Sequence, residues 1–126
     1  MTAKMKPEVK ALWVEALRSN QYEQGVSVLH NKDANEYCCL GVLCELAIQQ
    51  GIDITRSTAR EEVRGDSDVQ VTSYDGATGI LPTAVMEWAG LAEANPYTSG
   101  QSDTLAGLND SGSSFEDLAE IIEENL

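Results

Sequence analysis

Apolar residues recur at helical spacing near both ends of the chain. Positions 9, 12, 13, 16 and 17 form one helix face, and Pro7 suits a first helical turn, which predicts a helix over residues 7–18. Near the other end, Ser113 and Glu116 fit a capping box. The apolar positions that follow share one face and predict a helix over residues 114–125.

Two further helices are predicted in the middle of the chain. Residues 39–50 are apolar on almost every side and end at Gly51, a favoured helix stop, so we expect this helix to be the buried centre of the protein. Residues 82–89 begin with Pro82 and end before Gly90, which predicts a third helix.

Alternating apolar and polar residues predict two short hairpins. The first joins residues 25–30, across a turn-rich segment, to residues 37–38. The second joins residues 69–74, through the Asp-Gly turn at 75–76, to residues 79–81. The expected fold class is therefore α+β, with about four helices packed on a small, mostly antiparallel sheet of short hairpins.

Two segments lack such patterns. Residues 52–68 are polar and carry charges of both signs, so we expect mostly loop, with a short helical turn near residues 58–63. Residues 92–104 are rich in small polar residues and are expected to form a surface loop, anchored at its far end by Leu105 and Leu108. The length of 126 residues indicates one domain spanning 1–126.

The charge is divided unevenly along the chain. The formal net charge is −13, and residues 65–126 carry twelve acidic side chains and no basic one. Such a field disfavours direct DNA or RNA binding and attracts basic surfaces on other proteins. The alternative is that the acidity only keeps the protein soluble or reflects a salty cytoplasm.

The sequence predicts a cytosolic protein without a membrane anchor. The start of the chain does not resemble a signal peptide, and the longest nearly apolar run, residues 37–44, is far shorter than the roughly 20 residues of a membrane-spanning helix. Because no export is expected, the three cysteines are predicted to be reduced thiols.

Two segments also carry a family resemblance: YCCLGVLCELA at residues 37–47 and LNDSGSSF at residues 108–115. Together with residues 13–24 and 81–91, they resemble a group of small uncharacterised proteins carried mainly by tailed bacteriophages. The resemblance implies an accessory protein that acts inside an infected bacterium, often on a host component. It implies no site residues, because the group has no activity attached to its motifs.

The cysteines suggest two alternatives. Cys38 or Cys39 near a helix N-terminus, with His30 across the first hairpin, is a conceivable nucleophile and base. The surrounding Leu and Val residues favour small buried core residues instead. The single histidine and the cysteine spacing give little support for zinc, so no metal and no cofactor are predicted.

Two functions from different classes follow. The first is a non-enzymatic accessory protein that binds a basic surface of a host protein, a nucleic-acid mimic being one version. Its expected binding face consists of Glu116, Asp117, Glu120, Glu123 and Glu124. The second is a small-molecule-binding protein or minor enzyme. Its expected pocket residues are His30, Cys38, Cys39, Tyr74 and Asp75. A structural role in the virion is a third, less favoured interpretation.

Overall fold

A computed structural model describes residues 5–97 and 104–126. Five helices and four strands follow one another in these parts of the chain. In order they are α1 (Pro7–Arg18), β1 (His30–Asn31), β2 (Glu36–Tyr37), α2 (Cys39–Gln49), β3 (Arg56–Val63), β4 (Asp66–Tyr74), α3 (Thr83–Ala89), α4 (Leu105–Asp110) and α5 (Phe115–Asn125). The expected α+β class is confirmed.

The strands form one antiparallel sheet in the order β2-β1-β4-β3. Its largest part is the β3–β4 hairpin, in which Arg56 lies opposite Tyr74 and Ala59 opposite Val71. β1 joins this hairpin by pairing Asn31 with Val71. One long hairpin and one very short one therefore make the sheet.

Helix α2 lies at the centre of the core, as its apolar sequence predicts. Eight of its eleven residues are buried, and it contacts α1, α3 and α4. The indole N–H of Trp13 donates to the carbonyl of Cys39 at 2.9 Å, which satisfies the polar edge of a fully buried aromatic ring. Gly41 allows the helix to approach the backbone at Leu29 closely, because a Cβ there would lie 1.8 Å from the Leu29 carbonyl oxygen.

The prediction of mostly loop over residues 52–68 is wrong. Residues 56–63 form β3, and the chain turns back at Arg64 and Gly65, both of which have positive φ. The strand lacks a recognisable alternation because it lies at the sheet edge, where only Val63 is buried and four of the other seven residues are charged. The helical turn expected at residues 58–63 is absent, because those residues belong to β3.

The predicted second hairpin is also wrong. β4 pairs with β3, whereas residues 79–81 form no strand and only a single bridge joins Tyr74 to Ala77 after the turn. In the first hairpin, the turn is as expected but the strands are only two residues long, so residues 25–29 are not part of it.

Two smaller corrections concern the C-terminal region. Leu105 begins the six-residue helix α4, whereas the sequence predicts the end of a loop there. Helix α5 is capped by Ser114, whose hydroxyl accepts the N–H of Asp117 at 3.1 Å, and not by Ser113. Residues 98–103 of the predicted loop lie outside the described residues. In the parts of the chain that are described, no helix is long and apolar enough to span a bilayer.

Candidate functional site

The acidic side chains of α5 form a continuous exposed face. On the other side of this helix, four apolar residues are buried: Phe115, Leu118, Ala119 and Ile122. The five acidic residues are all exposed, and at 3.6 residues per turn they fall within about 120° of the helix circumference. We call this surface the acidic face: Glu116, Asp117, Glu120, Glu123 and Glu124.

Bases from α1 border the acidic face without neutralising it. Nε of Arg18 lies 3.3 Å from a Glu116 carboxylate oxygen, and its Nη1 lies 3.7 Å from one of Glu123. The side chains of Glu116 and Glu123 are 68% and 58% exposed, so these pairs contribute about 1 kcal/mol or less. Among the described residues, no basic side chain pairs with the other three carboxylates.

The acidic residues have opposite effects on the stability of α5 at the two ends of the helix. Glu116 and Asp117 lie in the first turn, where the helix dipole favours negative charge. Glu123 and Glu124 lie near the C-terminus, where the dipole disfavours it. Lys10 partly compensates there, since its Nζ donates to the backbone carbonyl of Glu123 at 3.5 Å.

The cysteines are enclosed in the core. Cys38, Cys39 and Cys44 are free thiols, each 3% exposed or less. Burial raises the pKa of Cys38 to about 11, although backbone N–H groups at the start of α2 act in the opposite direction. Burial also holds the pKa of Cys39 and Cys44 well above the usual range. At neutral pH the three side chains are therefore uncharged thiols.

The imidazole of His30 is engaged by groups other than the cysteines. Its Nδ1 lies 2.7 Å from the hydroxyl of Thr72 and its Nε2 lies 3.0 Å from Oδ1 of Asn35. The ring stacks on Tyr37 with centroids 4.2 Å apart. Both ring nitrogens are thus used in holding the turn between β1 and β2 against β4, and the expected pairing of His30 with Cys38 is not formed.

Tyr74 joins the sheet to the central helix. Its ring is fully buried, and its hydroxyl donates to the Glu45 carboxylate at 2.6 Å. The two oxygens of that carboxylate also accept from the Arg56 guanidinium. Burial, followed by the hydrogen bond to Glu45, raises the pKa of Tyr74 far above its usual value. Sequence reasoning missed Glu45 and Arg56, which lie eleven positions apart with no shared motif.

Asp75 has a turn-forming role. Its φ is 52°, and its carboxylate accepts the N–H of Thr55 at 2.8 Å. The five expected pocket residues therefore divide into buried thiols, a turn-holding histidine, a buried tyrosine and a turn aspartate. Two open grooves, of about 590 and 460 Å³, run beside α1, and none of the five lines either of them.

The two segments that carry the family resemblance meet in the interior. Asn109, which is 2% exposed, accepts from Nε2 of Gln24 at 2.9 Å and from the N–H of Cys39 at 3.3 Å. Its amide donates to the carbonyl of Gly25 at 2.8 Å. Gln24 in turn accepts the N–H of Phe115 at 3.0 Å. One polar cluster thus holds the starts of α2 and α5 together, and its polar residues are structural.

The fold and surface define the class: a small α+β protein with a four-stranded antiparallel sheet and a strongly acidic face on α5. The chain belongs to the family described as Domain of unknown function (DUF8296), which matches residues 5–126. No curated protein and no solved structure matches the chain.

Proposed function

We propose that this is a phage-borne, non-enzymatic accessory protein that binds a host protein in the cytoplasm of an infected bacterium, as a factor in host takeover or against host defence. The observation that carries the binding proposal is the acidic face of α5. The phage setting rests on the resemblance of residues 37–47 and 108–115 to phage-borne proteins.

The acidic face contributes little to the fold that contains it. Its five side chains are exposed, and only Arg18 forms ion pairs with them in the described parts of the chain. Glu123 and Glu124 even oppose the helix dipole. A local feature that works against the stability of its own helix is typical of a functional surface.

The chemistry of the face selects a basic partner surface. Carboxylates in a dense stripe attract Lys and Arg side chains, accelerate encounter and lose strength as salt screens them. A groove that normally holds DNA or RNA has this character, so a nucleic-acid mimic is the specific version of the proposal. The same field repels nucleic acid itself.

Affinity capture from a bacterial lysate tests the proposal. The tagged protein is compared with a variant in which the five acidic residues are replaced by their amides, Glu by Gln and Asp by Asn. A matched control replaces five exposed acidic residues elsewhere, which are Glu8, Asp53, Glu61, Glu87 and Glu93. We expect one salt-sensitive partner with a basic surface, retained by the control and lost by the α5 variant. Equal capture by all three proteins would contradict the proposal.

A further inference from the structure

The two edges of the sheet differ in how they are covered. At the β2 edge, the backbone carbonyl of Tyr37 accepts the N–H of Gly25 at 2.7 Å, and the backbone N–H of Tyr37 donates to the carbonyl of Glu23 at 2.8 Å. A neighbouring segment therefore pairs with this edge. At the other edge, β3 pairs with β4, and none of residues 5–97 and 104–126 forms a strand on its outer side. An edge strand of eight residues presents a row of backbone groups to pair with another chain.

The register identifies which backbone groups of β3 face outward. The N–H of Asp75 donates to the carbonyl of Thr55 at 2.9 Å, so this pair is hydrogen-bonded across the hairpin. Hydrogen-bonded and non-hydrogen-bonded pairs alternate along an antiparallel ladder, so the pairs that Ser57, Ala59 and Glu61 form with β4 are hydrogen-bonded as well. The backbone groups that point away from β4 therefore belong to Arg56, Thr58 and Arg60.

A contact on the opposite side of β4 supports this assignment. The N–H of Lys32 in the β1–β2 turn donates to the carbonyl of Gln70 at 2.8 Å. Gln70 thus turns its carbonyl toward β1, whereas Arg60, which lies opposite Gln70, is left with its backbone groups free on the outer side.

The order of charges along β3 is complementary to itself in the antiparallel direction. Arg56 and Arg60 lie toward the start of the strand, and Glu61 and Glu62 toward its end. A two-fold axis at Ala59 sets Thr58 against the partner's Arg60 as a hydrogen-bonded pair. It also sets Arg56, whose guanidinium donates to Glu45 of its own chain, against the partner's Glu62. An axis at Thr58 would instead set Arg56 against the partner's Arg60, and like charges directly opposite are destabilising.

Ala59, the residue on this axis, has a small apolar side chain. Ala59 is partly buried against a cluster of four buried valines, separate from the main core: Val28, Val63, Val69 and Val71. In a non-hydrogen-bonded antiparallel pair, two Cα atoms lie about 4.5 Å apart. Ala59 of two copies fits that spacing, and the two valine clusters become continuous across the axis.

We propose that the protein forms a two-fold symmetric dimer in which the β3 strands of two copies pair antiparallel about Ala59. Residues 56–64 carry three of the eight basic residues of the chain and two acidic ones, and each of the three bases forms an ion pair within its own chain, so two strongly acidic copies meet through a segment that is not itself acidic. The four-stranded sheets join into one of eight strands, and the dimer carries two copies of the α5 acidic face.

Sedimentation equilibrium of two variants tests the open edge. Thr58→Pro removes an outward N–H and no hydrogen bond of the β3–β4 ladder, which edge strands tolerate. Thr58→Ala is the matched control, because both variants lose the bond from Lys32 Nζ to the Thr58 hydroxyl. At about 100 μM, we expect twice the 13.6 kDa monomer mass for the native protein and Thr58→Ala, and the monomer mass for Thr58→Pro. A monomeric native protein, or a dimer undiminished by Thr58→Pro, would overturn the proposal.

Cysteine crosslinking tests the register without relying on a weakened variant. The Cα spacing of a non-hydrogen-bonded pair suits a disulfide, and the three native thiols are buried. We expect Ala59→Cys to form a covalent dimer under mild oxidation at least tenfold faster than Ser57→Cys, which faces the partner's Glu61. Equal rates for the two variants would show random collision and contradict pairing about Ala59.

Discussion

At the residue scale, Gly41 decides whether α2 can occupy its place. We expect Gly41→Ala to lower the free energy of unfolding by about 1–3 kcal/mol or more, because its Cβ would meet the Leu29 carbonyl oxygen at 1.8 Å. This is the net loss, because the steric cost at Gly41 outweighs the gain of about 1 kcal/mol that alanine brings to an ordinary helix position. Urea unfolding measures the change.

Gly79→Ala is the control for this substitution. The only atom described near its added Cβ is the carbonyl oxygen of Ser27 at 4.0 Å, and its φ is not positive, so we expect a change within about 0.5 kcal/mol. Equal stability of Gly41→Ala and the native protein would show that α2 does not approach Leu29 as closely as described.

The buried thiols predict a stability that decreases in alkaline solution. Burial raises the pKa of Cys38 to about 11 in the folded protein, whereas an unfolded thiol has a pKa of about 8.5. Above that value the unfolded chain releases thiol protons that the folded protein retains, which favours unfolding. The stability that the buried Cys38 thiol contributes is therefore complete below about pH 8.5 and is lost as the pH rises toward about 11.

Urea unfolding at pH 7, 8.5 and 10, with a reductant present, measures this decrease. Thiol titration at pH 8 supplies an independent measurement. We expect the native cysteines to react about 100-fold or more slowly than those of the unfolded chain, because reaction requires opening of the core. A cysteine in the native protein that reacts as fast as a free thiol would restore the nucleophile hypothesis.

At the element scale, the start of α5 distinguishes two neighbouring serines. We expect Ser114→Ala to lower the free energy of unfolding by about 1 kcal/mol, because its hydroxyl accepts the N–H of Asp117. Ser113→Ala should have little effect, since only backbone atoms of Ser113 take part in the described hydrogen bonds. Thermal unfolding of both variants measures the difference, and the reverse order would place the cap at Ser113.

The helices were more predictable than the strands for a physical reason. α1 and α5 each bury one face, so their apolar periodicity identifies them, and the bounds of α1 are as expected at residues 7–18. β3 buries only Val63 and is held by backbone pairing to β4. Backbone hydrogen bonds leave no periodic signature in side-chain types, so this strand could not be found from the sequence pattern.

At the scale of the whole molecule, the sequence predicts the fold class but not the long-range polar contacts. The hydrogen bonds of Asn109 join residues 70 to 85 positions away in sequence, and the pairing of Glu45 with Tyr74 spans 29. Such contacts depend on how elements pack. The acidic face is different, because its residues lie on one helix and their shared exposure follows from the helical period alone.

If the acidic face of α5 binds a basic partner surface as proposed, the affinity of the captured complex depends on salt. Between about 50 and about 300 mM NaCl, we expect the dissociation constant of the native protein to rise at least tenfold. The five-amide variant should bind weakly at low salt and respond little to added salt. A native dissociation constant that does not change with salt, or a variant that binds as tightly as the native protein, would contradict the claim.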